Sequence, residues 1–400
     1  MSPNRLAAGI RNAENQLLAW ILVRFESKFS IFVILTIMVF SILFRSSVSS
    51  TTLWIPTVLF LSFGFFNERF GAVWIKLLTL FATIFLYYFI YVFYTKRGFT
   101  DFGLSLFLVL LPFLVLTLVK INSRPLKVMF LILYILFEMA MCYFGGNDFI
   151  SLKIFNFFRP LLVFVVYIFE SKASLRELSK LEKSIFVFNP MIFICAALNI
   201  RVFKEQKQTR RLYILGVKNL LLSYLAAVLW KKLDNSPLLL NPALFFLLSS
   251  SRYFLYMGKH AYYFYGLMQI CGFNIKNPYD LPFLALNPVD RWSRTSVYTS
   301  LWLKNYIFIP AYKYFNSLVI ALGVLFLFDT VIHLRNEFFY FGSRLGEPLP
   351  GTSLQITLAF FLHFLIMYSY LKFFQKYNAD SWINVLFTYL IMCGVYLLRY

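Results

Sequence analysis

The chain has 400 residues, of which 60% are hydrophobic and only 14% charged, against about half and about a quarter in soluble domains. The apolar residues come in long runs and not in alternating faces, which excludes a soluble globular domain and a β-barrel. The formal net charge of +21 implies no nucleic acid, because Lys and Arg lie between the apolar runs instead of forming one face; so placed, they suit cytoplasmic loops and anionic membrane lipids.

Residues 1–28 open the chain as a polar, amphipathic stretch, with Leu17, Leu18, Trp20, Ile21 and Leu22 beside Arg24 and Lys28. This predicts an interfacial helix entering the first span, not a cleaved leader. A membrane crossing takes about 20 mostly apolar residues. Candidate spans follow at 30–44, 53–66, 72–94, 102–119, 127–145 and 154–169, then at 185–200, 212–230, 239–257, 260–273, 315–333, 354–374 and 382–398. Several are short. The segment 185–200 contains Pro190 and has Lys172, Arg176, Lys180 and Lys183 before it and Arg201, Lys204, Lys207, Arg210 and Arg211 after it. A full crossing would put one basic cluster outside, so a re-entrant or broken helix is predicted. The fold class read from this pattern is all-α: one integral domain over 1–400, a polytopic transmembrane bundle of about 10–13 helical segments in the cytoplasmic (inner) membrane. Up to about residue 170 the spans are plain and aromatic-rich. From 185 to 335 the chain is more polar and more interrupted.

The stretch 276–313 is the most informative. Asn277, Pro278, Asn287 and Pro288 punctuate it. From Pro288 onward an amphipathic helix is expected, with Asp290, Arg291, Arg294 and Lys304 polar and Trp292, Val297, Leu301, Trp302 and Leu303 apolar. On composition alone this is a helix lying at a membrane interface. Trp292, Arg294, Ser300, Trp302, Leu303, Lys304, Asn305, Tyr306, Ile309 and Pro310 also stand in the order of a known motif. That motif runs Phe-Trp-Arg-Arg-Trp-His-x-Ser-Leu-Ser-x-Trp-Leu-Arg-Asp-Tyr-Leu-Tyr-Ile-Pro. Upstream, Tyr253, Phe254, Gly258, Gly266, Gly272 and Phe273 match a second conserved stretch; Gly216, Val217 and Lys218 match a helix start; Phe188, Pro190 and Arg201 match a third segment. In these positions the chain resembles the membrane-bound O-acyltransferase (MBOAT) family, especially its bacterial branch of alginate O-acetylation and teichoic acid D-alanylation. The resemblance covers about residues 185–335.

What the resemblance implies is acyl transfer from a thioester, such as acyl-CoA or an acyl carrier, to a hydroxyl of a glycan or lipid-linked acceptor. It implies no other cofactor, and an extracytoplasmic acyltransferase partner. His333 follows the Tyr-Ile-Pro block by one apolar run and is the positional match to the family's histidine. A neutral imidazole can take a proton from a hydroxyl near neutral pH. Asp329, at i−4, is placed to orient the ring. Arg294, Trp302, Lys304, Asn305 and Tyr306 are the expected donor-binding residues, with Arg294 and Lys304 on donor phosphates. His363, in the apolar run Phe360–Phe364, is either a structural histidine or a second active-site histidine. His260 reads as interfacial.

Competing chemistry finds little support. Cys142, Cys195, Cys271 and Cys393 have no paired spacing and no nearby histidine, so they read as buried thiols and no metal site is expected. Glu138 interrupts an apolar span and reads first as a hydrogen-bonded structural group, second as part of an ion path. No Gly-rich phosphate loop or nucleophile elbow occurs. Two other readings stand beside the enzyme: a catalytically inactive scaffold of the same fold, and a transporter or handler of lipid-linked glycans.

Overall fold

Helix starts in this chain are written as a polar cap followed by proline. Ser2-Pro3 opens α1 (Pro3–Arg24), Asn241-Pro242 opens α4 (Pro242–Ile270) and Asn287-Pro288 opens α5 (Pro288–Arg294). Proline costs nothing at a position whose N–H has no helical partner, and the cap side chain takes up the next free N–H groups. Asn241 Oδ1 accepts from Ala243 N at 3.0 Å and Leu244 N at 3.2 Å; Asn287 Oδ1 accepts from Asp290 N at 2.7 Å.

The computed structural model describes residues 1–46, 57–62, 209–295, 297–328, 350–375 and 380–397, with Leu77, Met129 and Thr330. Apart from Leu77 and Met129, the candidate spans at 72–94, 102–119, 127–145 and 154–169, the re-entrant segment at 185–200, Glu138, Asp329 and His333 lie outside these residues. The chain divides into two compact units, one of Met1–Ile75, Glu205–Leu327 and Gln355–Tyr400, the other of Lys76–Lys204 and Phe328–Leu354. Nearly all described residues belong to the first.

Every regular element described is helical, as expected of an all-α chain; among the described residues the one β-type contact is an isolated bridge between Tyr279 and Thr295. The expected span at 30–44 is α2 (Phe29–Ser46), and that at 212–230 is α3 (Arg210–Asp234). The two expected at 239–257 and 260–273 are one unbroken helix, α4. Gly258 does not interrupt it, because there α4 packs on Ala226 of α3 and the packing offsets the helix penalty of glycine, about 1 kcal/mol. After α5 come α6 (Val297–Leu303), a π-helical turn at Lys304–Phe308, α7 (Ile309–Phe315) and α8 (Leu318–Phe328). The last described helices are α9 (Pro350–Ser369), continued by a π-helical turn at Tyr370–Phe374, and α10 (Trp382–Leu397). Among the described residues two helical stretches, Arg210–Asp234 and Thr357–Phe374, are long and apolar enough to cross a membrane. Only 17% of the second is buried, so most of its apolar side chains face outward.

Helices α3 and α4 form an antiparallel pair. At Gly216 and Gly266 their backbones touch: a Cβ at Gly216 would stand 2.5 Å from Gly266 O, and one at Gly266 would stand 2.8 Å from Gly216 O. Small residues permit this closeness, which apolar helix pairs use to gain dispersion contact. Further along the pair, Ser223 Oγ donates to Lys259 O, and the Lys259 ammonium sits 3.6 Å from the centre of the Trp230 ring. Helix α10 lies on the opposite stretch of α4, where Tyr389 donates to Leu247 O at 2.8 Å.

Helix α1 docks on this pair through charge. Arg11 pairs with Asp280 at 2.7 Å, and Glu14 pairs with Lys218 of α3. Ala7 and Leu18 flank these pairs on the buried face, while Ile10, Leu17 and Trp20 are exposed. The expected amphipathic helix is present, and its ion pairs lie partly exposed beside the buried face.

Candidate functional site

Helix α4 ends at Gly272, whose φ of 90° suits only glycine at that point and reverses the chain. The next segment then runs back along α4 with no regular structure but a short 3-10 turn at Pro282–Leu284. Gln269 Nε2 donates to Ile275 O at 2.9 Å, the Tyr279 ring lies 5.6 Å from Tyr262 and 5.7 Å from Phe254, and the Phe283 ring lies 5.0 Å from Phe254. Phe273, Ile275, Tyr279 and Ala285 are buried. Buried backbone needs partners, and here the chain supplies them from the segment that follows. Asp280 N donates to Arg294 O and Val297 N to Pro278 O, each at 3.0 Å. The result is a wedge of irregular chain leading into α5, closed on itself between residues 278–280 and 294–297.

Leu281 sits in this wedge at φ 51°. A bulky L residue in the left-handed region stores about 1–2 kcal/mol of strain. It is held there from both sides. Asp280 is fixed by Arg11 and Arg294, and Pro282 O accepts from Arg291 Nη1 at 3.0 Å.

Arg291 is the largest fully buried side chain described, at 1% exposure. Its Nη2 donates to Ser250 Oγ at 2.6 Å. Three aromatic rings surround the guanidinium: Phe254 at 4.5 Å, Phe283 at 5.7 Å and Tyr389 at 5.9 Å. A buried cation needs hydrogen bonds and polarisable faces of this kind. The expected single amphipathic helix from Pro288 is therefore corrected. Arg291, expected on the polar outer face, points into the bundle, and Leu301, expected inside, is 40% exposed. The helix stops at Arg294, Thr295 turns extended to make the bridge with Tyr279, and α6 restarts at Val297. Satisfying the wedge backbone and burying Arg291 decide the geometry over the local helical pattern.

Of the expected donor-binding residues, Arg294 ends α5 with its Nε donating to Asp290 Oδ1 at 2.8 Å. Asp290 is fixed in turn, since its Oδ2 accepts from Leu286 N at 3.0 Å. The Arg294 side chain is 13% exposed, and its Nη1 is buried with no hydrogen-bond partner among the described residues. Tyr370, in the π-helical turn after α9, lies within electrostatic reach of Asp290. Trp302 is buried in α6 with its ring 5.5 Å from that of Tyr306, which is half-buried. Lys304 and Asn305 are exposed on the first π-helical turn. The five thus separate into a buried set, Arg294 and Trp302, and an outward set, Lys304 and Asn305, joined by Tyr306.

His363, the second histidine candidate, is half-buried on α9. Its ring stacks at 6.3 Å on Phe326 of α8, and Phe326 stacks at 5.2 Å on Trp292 of α5. That brings His363 to the same block through one intervening ring. His260 lies on α4. No group of three or more His, Cys, Asp or Glu residues that could hold a metal occurs among the described residues.

Sequence reasoning missed Arg291 as a buried anchor, together with Ser250, Phe283 and Tyr389 around it. Its signal was faint: a cation one residue from Trp292 in a helix fits either face until its partners are known. No protein-family model and no curated protein matches this chain.

Proposed function

We propose that this chain is a multi-pass protein of the cytoplasmic membrane and an O-acyltransferase, moving an acyl group from a thioester to a hydroxyl of a glycan or lipid-linked acceptor. The observation that carries this reading is the block from Trp292 to Pro310. It keeps the order of the acyltransferase motif while the arginines beside Trp292, one buried and one largely so, sit among apolar helices. Ionisable groups and irregular backbone inside an apolar bundle are retained chiefly where they serve a ligand or a path.

In this reading His333 is the general base, and Asp329 orients its ring. The acceptor hydroxyl oxygen attacks the thioester carbonyl carbon while His333 takes the hydroxyl proton. A C–O bond forms, the C–S bond breaks, and the departing sulfur recovers the proton from the imidazolium as a thiol. Lys304 and Asn305, exposed on the π-helical turn, are available to the polar end of the donor. General-base assistance is worth roughly 10²–10⁴ in rate. Labelled-acyl transfer in isolated membranes should therefore fall by that factor in His333→Ala at unchanged protein level. Transfer retained in that variant removes His333 from the mechanism.

A second reading has specific support. Leu334 stands where the family has glycine after its histidine, Ile332 where it has tryptophan, and Leu255 where it has aspartate. Ala197, Leu198 and Asn199 replace its Gly-Pro-Ile turn, and the histidine of its Arg-Trp-His run is replaced near Ser296. These departures favour an inactive scaffold that binds an extracytoplasmic partner. Wild-type membranes that transfer no acyl group from acyl-CoA or a charged acyl carrier would select it.

A further inference from the structure

The Arg294–Asp290 pair leaves one strong donor unspent. Nε of Arg294 is bonded to Asp290 Oδ1 at 2.8 Å, and the remaining oxygen of that carboxylate is taken by Leu286 N at 3.0 Å. The backbone at Arg294 is pinned as well, because its carbonyl accepts from Asp280 N at 3.0 Å. Nη1 is buried and has no acceptor among the described residues. A buried N–H with no acceptor costs free energy, and one that persists on a rigid scaffold calls for a ligand atom.

The charge of the pair decides which atom. Asp290 already neutralises the guanidinium. A phosphate or carboxylate placed at Nη1 would meet the Asp290 carboxylate at short range with little solvent to screen it, and like charges so placed repel strongly. A neutral carbonyl oxygen meets no such cost and still gains a hydrogen bond from a charged donor. We propose that Arg294 Nη1 is a subsite for a neutral carbonyl oxygen, such as that of an acyl thioester, and not for the donor phosphates. The subsite rests on the acyltransferase reading only for the identity of its ligand. An ester carbonyl of a membrane lipid has the same chemistry.

The test compares ligand pairs that differ in the carbonyl alone. One pair is acetyl-CoA and S-ethyl-CoA; the other is an ester-linked phosphatidylglycerol and its dialkyl-ether counterpart, presented in nanodiscs holding the full chain. Binding is measured on wild type and on Arg294→Lys, which keeps a cation for Asp290 and removes the second planar nitrogen. The expected result is a preference of about tenfold or more for the carbonyl-bearing member of one pair, abolished in Arg294→Lys with an unchanged unfolding temperature. Preference in the first pair identifies the thioester donor as the source, and preference in the second identifies a lipid. No preference in either pair, as when Nη1 binds water alone, overturns the proposal, and so does a preference that survives Arg294→Lys. The catalytic reading fails separately: a chain with the carbonyl preference but no acyl transfer keeps the subsite and loses the enzyme.

Discussion

Arg291 and Arg294 are one helical turn apart and solve the burial of a cation in opposite ways. Arg294 is balanced by a carboxylate. Arg291 is enclosed by ring faces, a hydroxyl and a carbonyl. Removing Arg291 leaves Ser250 Oγ and Pro282 O without their donor and opens space between Phe254, Phe283 and Tyr389. Arg291→Met keeps volume and drops the donors, so it should cost about 2–4 kcal/mol, seen as a clear fall in the unfolding midpoint in detergent. Arg291→Lys should recover only part of this, because an ammonium lacks the planar fork that serves two acceptors at once. A midpoint of Arg291→Met equal to wild type would show that the cage is incidental. Neither arginine's environment was legible in the sequence to the same degree. The Asp290–Arg294 pair follows from i,i+4 spacing in a helix. The cage around Arg291 joins Phe283, from the segment just before α5, to Phe254 and Tyr389, which are remote along the chain, and no local pattern joins them.

Among the elements, the α3–α4 pair is the most tightly specified. Its apolar run made α3 readable at 212–230, close to the observed Arg210–Asp234, whereas α4 looked like two segments because Gly258-Lys259 resembles a break. What holds α4 together there is contact with α3, a tertiary term absent from local sequence. The same contact makes a sharp prediction. Gly216→Ala places a methyl against the Gly266 carbonyl, an atom of backbone that cannot swing aside. It should destabilise by about 1–3 kcal/mol. Gly323→Ala on α8 is the control: a Cβ there meets nothing within 4 Å, so it should be neutral or stabilise by up to about 1 kcal/mol through helix propensity. Thermal unfolding of the two variants side by side decides the matter, and equal midpoints would remove the close crossing. The wedge after α4 was marked in advance by Asn277, Pro278, Asn287 and Pro288. Its course back along α4 was not, since that depends on pairing between residues 278–280 and 294–297.

At the scale of the whole molecule, composition carried the reading furthest. Long apolar runs and scarce charge led to an all-α class, and the described residues are helical without a strand. Among the described residues two helical stretches have the length and apolarity of a crossing, and the outward apolar side chains of α2, α3 and α9, among them Ile34, Met38, Leu225, Leu229 and Phe361, suit a non-aqueous cover. Under the multi-pass proposal the chain should stay wholly in the membrane pellet after alkaline carbonate extraction and leave it only with detergent. Recovery in the carbonate supernatant would refute an integral chain. The catalytic assignment drew on motif order alone, because a histidine near the end of an apolar run looks the same whether it faces a substrate or a neighbouring helix.

The π-helical turn at Lys304–Phe308 holds one residue more than the hydrogen-bonding of an ordinary α-helix would admit. Excising a single residue there, Asn305 for instance, would let the chain wind as an ordinary α-helix and leave the side chains beyond it facing as they do now, whereas the same deletion inside α6, where there is no surplus residue to lose, would swing everything on one side of the cut by about 100° around the axis. Tyr312 and Lys313 would keep their directions, and Trp302 upstream would stay where it is. The turn thus works as slack in one rod, a place where the chain can give up a residue without turning the rest.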